Sequence, residues 1–172
     1  MIDGFFEWRN GKAQALAVIL HGWSSNREKI SDVKDATLEA LGPMDGVDVY
    51  VPTLAYSRWL SVERATTILI GLLRDIDKIV GKRPDYNRIV LIGHSMGGVL
   101  SRRLFLLAAG VPPAVNEEPE FRNEEEFICK EAEPRPWAKL IDRHVTLGAF
   151  NACGPTFVVL GVSRKSQLII WQ

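Results

Sequence analysis

The segment Gly93-His94-Ser95-Met96-Gly97-Gly98 constrains this chain most, because of what stands on either side of it. Before it, Arg88-Ile89-Val90-Leu91-Ile92 is apolar and β-branched, the pattern of a parallel strand buried on both faces. After it, Val99 to Ala109 is almost wholly apolar, enough for about three helical turns. That run stops at Gly110, with Pro112-Pro113 beyond. A serine forced into a strained strand-to-helix turn leaves no room for side chains two positions either way, and Gly93 and Gly97 occupy those positions. In this context G-x-S-x-G has the form of a nucleophile elbow, which exposes a serine hydroxyl at the top of an α/β sheet. The following helix would aim its free N–H groups and dipole at charge developing beside Ser95. The plainer alternative is a Gly/Ser turn without a nucleophile, since short matches of common residues arise by chance.

A second run, Leu16-Ala17-Val18-Ile19-Leu20, also reads as a buried strand and ends at His21-Gly22-Trp23-Ser24-Ser25-Asn26. With this loop in place, the sequence resembles the lipase and esterase branch of the α/β-hydrolase family. The resemblance implies a mostly parallel α/β sheet with flanking helices and a serine esterase activity carried by Ser95. It implies that the loop after the first strand supplies one backbone N–H of an oxyanion hole, here from Trp23. The second donor would be the amide of Met96, with His21, Gly22, Gly93 and Gly97 as structural residues around the site. Two converging donors would stabilise a tetrahedral oxyanion, each worth about 2.7–4 kcal/mol. A turn that merely follows a strand is the alternative for His21-Gly22.

At 172 residues the chain fits one domain with room for a real core. The 21 basic and 21 acidic residues cancel, so no overall field favours nucleic acid. No apolar run approaches the ~20 residues that cross a bilayer. The start, Met1-Ile2-Asp3-Gly4-Phe5-Phe6-Glu7, lacks the basic and apolar regions of a secretory signal, which points to a cytoplasmic location. Cys129 and Cys153 form neither a metal spacing nor a disulfide framework, and the three histidines add no Cys/His pairing. The expected partner is a small-molecule ester, with no metal or organic cofactor; nothing in the pattern fixes an oligomeric state.

Along the chain, Ile30, Val33, Ala36, Thr37, Leu38 and Leu41 recur at helical spacing, with Gly42-Pro43 expected to close the segment. Val47 to Pro52 reads as a short strand of alternating character. Ser61 is the expected N-cap of the next helix, whose apolar stripe runs from Val62 to Ile79, with Gly81 and Pro84 ending it. Alternating strands and helices imply βαβ units and a parallel core over residues 16–110. Tyr56 and Trp59 either line a pocket or pack on the following helix. Residues 114–136 are acidic and Pro-punctuated, and read as a solvated insertion rather than a lid with an apolar inner face. A further strand lies within 140–149, where Arg143-His144-Val145-Thr146-Leu147-Gly148 matches the lipase-like pattern. Beyond it, residues 150–172 diverge.

A serine needs a base, and the base an orienting acid, in the order serine, acid, histidine for this fold. After Ser95 the chain holds Asp142 and His144. Both are expected at the start of their strand, roughly 13–16 Å from the serine end of the sheet. A base must come within about 3 Å of the hydroxyl. His94 is expected to point away beneath the turn, and His21 to brace the oxyanion loop. Thr156 to Val162 resembles the later strand that precedes the family's acid, yet Ser163, Arg164, Lys165 and Ser166 follow. The expectation is a hydrolase domain whose last third is absent or replaced. Three functions remain in play: a serine hydrolase of carboxylic esters, lipid-like esters and thioesters included, a non-catalytic α/β-hydrolase-like binding protein, and acyl transfer to an acceptor other than water.

Overall fold

A computed structural model describes residues 2–7, 13–22, 25–54, 62–111 and 133–148. Strands β1 (Phe5–Phe6), β2 (Ala15–Leu20), β3 (Val47–Tyr50), β4 (Arg88–His94) and β5 (Ile141–Leu147) form one sheet in the order β1-β3-β2-β4-β5. Helices α1 (Ser31–Asp45), α2 (Val62–Lys82) and α3 (Met96–Ala108) cover it. All pairings among β2 to β5 are parallel, and only β1 runs antiparallel, against β3.

The layering follows from the two-residue period of the strands. Leu16, Val18 and Leu20 of β2 pack with Leu69, Leu72, Leu73, Ile76 and Ile79 of α2 and with Leu100, Leu104 and Leu107 of α3. Ala15, Ala17 and Ile19 face the other way, into a cluster with Val49, Val90 and Ile92 on which Val33, Leu38 and Leu41 of α1 rest. Every residue of β2 is fully buried, which explains why its sequence is continuously apolar instead of alternating. β3 differs from its expected alternation, because all four of its residues are buried, Asp48 included.

The strand order places the functional end of the sheet. From β2 the chain crosses by α1 to β3 on one side, then returns by α2 to β4 on the other side of β2. The direction of winding therefore reverses between β2 and β4. Loops leaving the C-terminal ends of two such strands diverge to opposite faces and open a crevice, the place where ligands bind in open α/β sheets. His21-Gly22 leaves β2 there, and Ser95 leaves β4 there.

Several element ends differ from the expectations. Gly42-Pro43 does not close α1, which continues to Asp45; the left-handed stop is Gly46, with φ 64°. The chain stops where a residue takes positive φ. Gly81 lies within α2, which ends one residue later at Lys82, before Pro84. α3 opens at Met96 rather than Val99, directly after Ser95. β1 has no counterpart in the sequence reading, since two residues carry no period; Gly4 enables it, as a Cβ there would lie 2.0 Å from the Val51 carbonyl oxygen. At the tail of the acidic insertion, Pro136–Leu140 forms a 3₁₀ turn that buries Trp137, whose indole N–H donates to Asp77 at 2.6 Å. Ser61, Tyr56, Trp59, residues 114–132, both cysteines and the 150–172 tail lie outside the described residues.

Candidate active site

β4 ends at His94 and α3 begins at Met96, so Ser95 alone turns the chain from strand to helix. Its φ of 53° and ψ of −121° belong to no regular structure. Among the described residues it is the one non-glycine with positive φ. Such a conformation costs about 1–3 kcal/mol and persists only where the surroundings over-determine it. Those surroundings are visible. The Ser95 N–H donates to the Leu147 carbonyl at the end of β5, 2.9 Å away, and the Ser95 carbonyl accepts from the Gly98 N–H, also at 2.9 Å.

Three glycines allow close approach of neighbouring chain here. A Cβ on Gly97 would stand 2.2 Å from the Leu20 carbonyl oxygen, so the first turn of α3 sits directly on the end of β2. A Cβ on Gly93 would strike the Gly98 Cα at 2.4 Å. On Gly22 it would come 2.8 Å from the Ser95 Cβ and 3.0 Å from the His94 Nδ1. The loop after β2 thus runs against the serine itself. Met96 is the first residue of α3, and the first four N–H groups of a helix have no intrahelical acceptor. Trp23, the other expected donor, lies outside the described residues; Gly22, immediately before it, is the part of that loop beside Ser95.

The three histidines have separate fates. His21 is buried, and its Nε2 accepts the Leu54 N–H at 3.1 Å. The ring proton therefore sits on Nδ1, which faces the Gly22 carbonyl at 3.0 Å. Burial holds its pKa below the ordinary histidine range, so the ring is neutral as it joins the loop after β2 to the segment after β3. His94 is exposed rather than covered beneath the turn, because it stands past the last buried residue of β4. Among the described residues the Ser95 hydroxyl meets no histidine.

His144 departs from its expected place at the strand start. It is mid-strand in β5, in register with Leu91, while Leu147 is in register with His94. Four residues of strand, about 13 Å, separate its level from Ser95. Its Nε2 lies 2.6 Å from the Oγ of Ser101, a fully buried α3 residue whose hydroxyl donates to the Gly98 carbonyl at 2.9 Å. A hydroxyl has one proton to give, so Nε2–H is the donor of this pair. Burial, and secondarily the Arg102 charge, push the His144 pKa down to about 4. The sequence signal for this pair was a lone hydroxyl within the apolar run after Gly98; its partner was not visible.

The depressed histidines make an acid prediction. The unfolded chain takes up a proton at His144 near pH 6.5, whereas the folded chain does so near pH 4. Between those values the unfolded state binds more protons, so stability falls as pH falls from about 6.5 towards 4. At roughly 1.4 kcal/mol per pH unit, the loss from His144 is at most ~3–4 kcal/mol, reduced by its partial solvent contact. His21 acts with the same sign. Urea unfolding across this range should show the fall, with a flatter slope in His144→Gln.

Among the described residues there is no cluster of three or more His, Cys, Asp or Glu side chains that could hold a metal, and no helix long and apolar enough to cross a membrane.

The model of the alpha/beta hydrolase family matches residues 17–163, spanning both strands that meet at the crevice. This chain belongs to the alpha/beta hydrolase family. Solved structures similar to this hydrolase-family chain include esterase PE8, at 16% identity over 59% of this chain and 55% of that protein, with a TM-score of 0.47. The match therefore spans about half the length of that esterase. A mutant Aspergillus niger epoxide hydrolase is similar at 19% identity over 64% of this chain and 30% of its own, with a TM-score of 0.38. An acetylxylan esterase is similar at 14% identity over 82% and 88%, with a TM-score of 0.40. No curated protein sequence matches.

Proposed function

We propose that this alpha/beta hydrolase-family chain is a serine esterase, acting on carboxylic esters, lipid-like esters and thioesters included, through an acyl-enzyme on Ser95. The observation that carries the reading is the strained backbone of Ser95, a non-glycine at φ 53° between a buried strand and the start of a helix. Strain of this kind is kept where it serves function. Attack of the Ser95 Oγ on the ester carbonyl forms a C–O bond and a tetrahedral oxyanion. The Met96 amide and the Trp23 amide would hold that oxygen. Collapse breaks the bond to the leaving oxygen or sulfur, which takes up the proton lost by Ser95, relayed through water, and departs as the alcohol or thiol. A second water then hydrolyses the acyl-serine ester, releasing the acid and returning the hydroxyl. The names of the esterases above are consistent with this chemistry but add no weight to it.

A second reading is a binding protein of the same fold that does not turn over its ligand. It is favoured by the histidines: His21 is spent on Leu54 and His144 on Ser101. Loss of a triad histidine can cost about 10⁶ in turnover. A fluorophosphonate probe separates the two. Esterase chemistry predicts phosphonylation of Ser95, located by peptide mass, and its complete loss in Ser95→Ala. A folded protein that resists the probe would leave only the binding reading.

A further inference from the structure

Ser101 and His144 take no part in the chemistry just described, yet their hydrogen bonds lead to Ser95 from both sides. The His144 Nε2–H donates to the Ser101 Oγ, and the Ser101 hydroxyl donates to the Gly98 carbonyl. The Gly98 N–H donates to the Ser95 carbonyl, and the Ser95 N–H donates to the Leu147 carbonyl. Leu147 and His144 lie on the same strand, β5. The links therefore close into a ring: β5 to α3 through the imidazole, along the first turn of α3, through Ser95, and back to β5. Both backbone polar groups of Ser95 belong to it.

We infer that His144, acting through Ser101, is a positioning residue that fixes the strained turn of Ser95 and the amide of Met96. The inference rests on the reading of Ser95 as nucleophile. His144 cannot itself take the serine proton, since its level in the sheet is about 13 Å below Ser95. Nor is the pair a second nucleophile–base couple, because Ser101 is fully buried and no substrate reaches it. Its influence must pass through the backbone. β5 is the end strand of the described sheet, paired only with β4, so its position relative to α3 depends on ties of this kind. A shift of β5 or of the first turn of α3 would move the Ser95 hydroxyl and the neighbouring donor together. Misplacement of reacting groups by about 1 Å costs about 10²-fold in rate.

The test compares wild type with His144→Leu, Ser101→Ala, the double variant and His144→Gln, whose side-chain amide can present an N–H where Nε2–H stands. The readouts are fluorophosphonate labelling, resolved into maximal rate and half-saturating concentration, and amide hydrogen exchange. His144→Leu and Ser101→Ala are expected to lower the maximal rate about 10–100-fold, with half-saturation moved less than about twofold. The double variant is expected to be no worse than either single change, as for two links of one ring. His144→Gln is expected to recover most of the rate. In the two single variants the Ser95 and Gly98 amides are expected to exchange about tenfold faster, while Ala17 and Ile19 of β2 keep their protection. If His144→Leu does not fold, Ser101→Ala carries the same comparison. Wild-type labelling that persists unchanged in both single variants overturns this proposal and leaves the nucleophile reading standing. Uniformly faster exchange throughout the sheet also overturns it, since that marks a merely structural role. A folded wild type that resists labelling overturns the nucleophile reading, and the positioning role with it.

Discussion

Gly97→Ala is expected to cost about 3 kcal/mol or more, whereas Gly71→Ala, the same chemical change, is expected to stabilise the protein by up to about 1 kcal/mol. Both glycines sit in helices with φ in the helical range, so the backbone conformation does not distinguish them. What a new methyl group would touch does. At Gly71, on the exposed side of α2, a Cβ meets nothing within 4 Å. Alanine there gains helix propensity and loses unfolded-state entropy, together ~0.5–1 kcal/mol. At Gly97 a Cβ would stand 2.2 Å from the Leu20 carbonyl oxygen, 2.6 Å from its carbon and 2.7 Å from the His21 carbonyl oxygen. All three are backbone atoms, and β2 is fully buried between two layers, so it has no room to retreat. The collision must be relieved by lifting the first turn of α3 off the sheet. Overpacking that only rearranges side chains costs about 1–3 kcal/mol, and a backbone clash belongs at or above that upper end. For a chain of this size the midpoint of thermal unfolding should fall by roughly 6–12 °C. Calorimetry of the two variants checks the pair. Equal midpoints would mean that α3 does not rest on β2 as described. Because the same turn carries Ser95, any fluorophosphonate reactivity should fall in Gly97→Ala and not in Gly71→Ala.

This contrast also marks how far the sequence could be read. The buried strands β2 and β4 were legible because a strand covered on both faces must be apolar throughout, and few other structures demand that. The stripe of α2 was legible because its period is that of a helix with one buried face. Ends were less legible. Gly42-Pro43 looked like a stop, but a stop is set by the residue that takes left-handed φ, and Gly46 does so. β1, at two residues, had no period to show. At the site, the spacing of Gly93, Ser95 and Gly97 by itself points to a cramped turn. Their collision partners, the Leu20 carbonyl and the Gly98 backbone, are tertiary contacts that no local pattern encodes.

Buried and half-buried polar residues proved the instructive cases. Asp48 and Ser101 are fully buried and His144 is half-buried, and each is matched by a group elsewhere in the fold: Tyr86, His144 and Ser101 respectively. Each needs a partner, since an unpaired buried polar group costs too much to keep. Which partner answers is fixed by the fold.

Asp48 makes the strongest case of this kind, and its removal is expected to cost about 3–5 kcal/mol. The carboxylate is completely buried on β3. Its Oδ2 accepts from the Tyr86 hydroxyl at 2.5 Å and lies 3.6 Å from the Arg83 Nε, whose guanidinium also reaches Glu7 at 3.2 Å. Burial, followed by the bond to Asp48, drives the Tyr86 pKa well above the usual tyrosine range, so the phenol stays protonated and donates. Asp48→Ala removes the acceptor of a buried hydroxyl and the counter-charge of an arginine that is itself 17% exposed. Deleting one partner of a buried pair costs about 3–5 kcal/mol, and because Arg83 keeps Glu7 the cost here rests on the orphaned Tyr86 hydroxyl and lies at the lower end of that range. Tyr86→Phe takes away one hydrogen bond but leaves Arg83 beside the carboxylate, and is expected to cost less, about 1–3 kcal/mol. Asp48→Asn keeps the shape and an acceptor oxygen while losing the charge, so it falls between them. Because Asp48 is shielded from solvent, the ranking should survive a rise in salt that would flatten the effect of a surface pair. Urea unfolding of the three variants at low and high salt measures both the order and its persistence. A cost for Asp48→Ala below that of Tyr86→Phe would show that the carboxylate is hydrated rather than buried. The cluster joins β3 to the segment between α2 and β4, away from the crevice where β2 and β4 end. Its loss is therefore expected to lower stability while leaving the labelling rate of whatever folded protein remains unchanged.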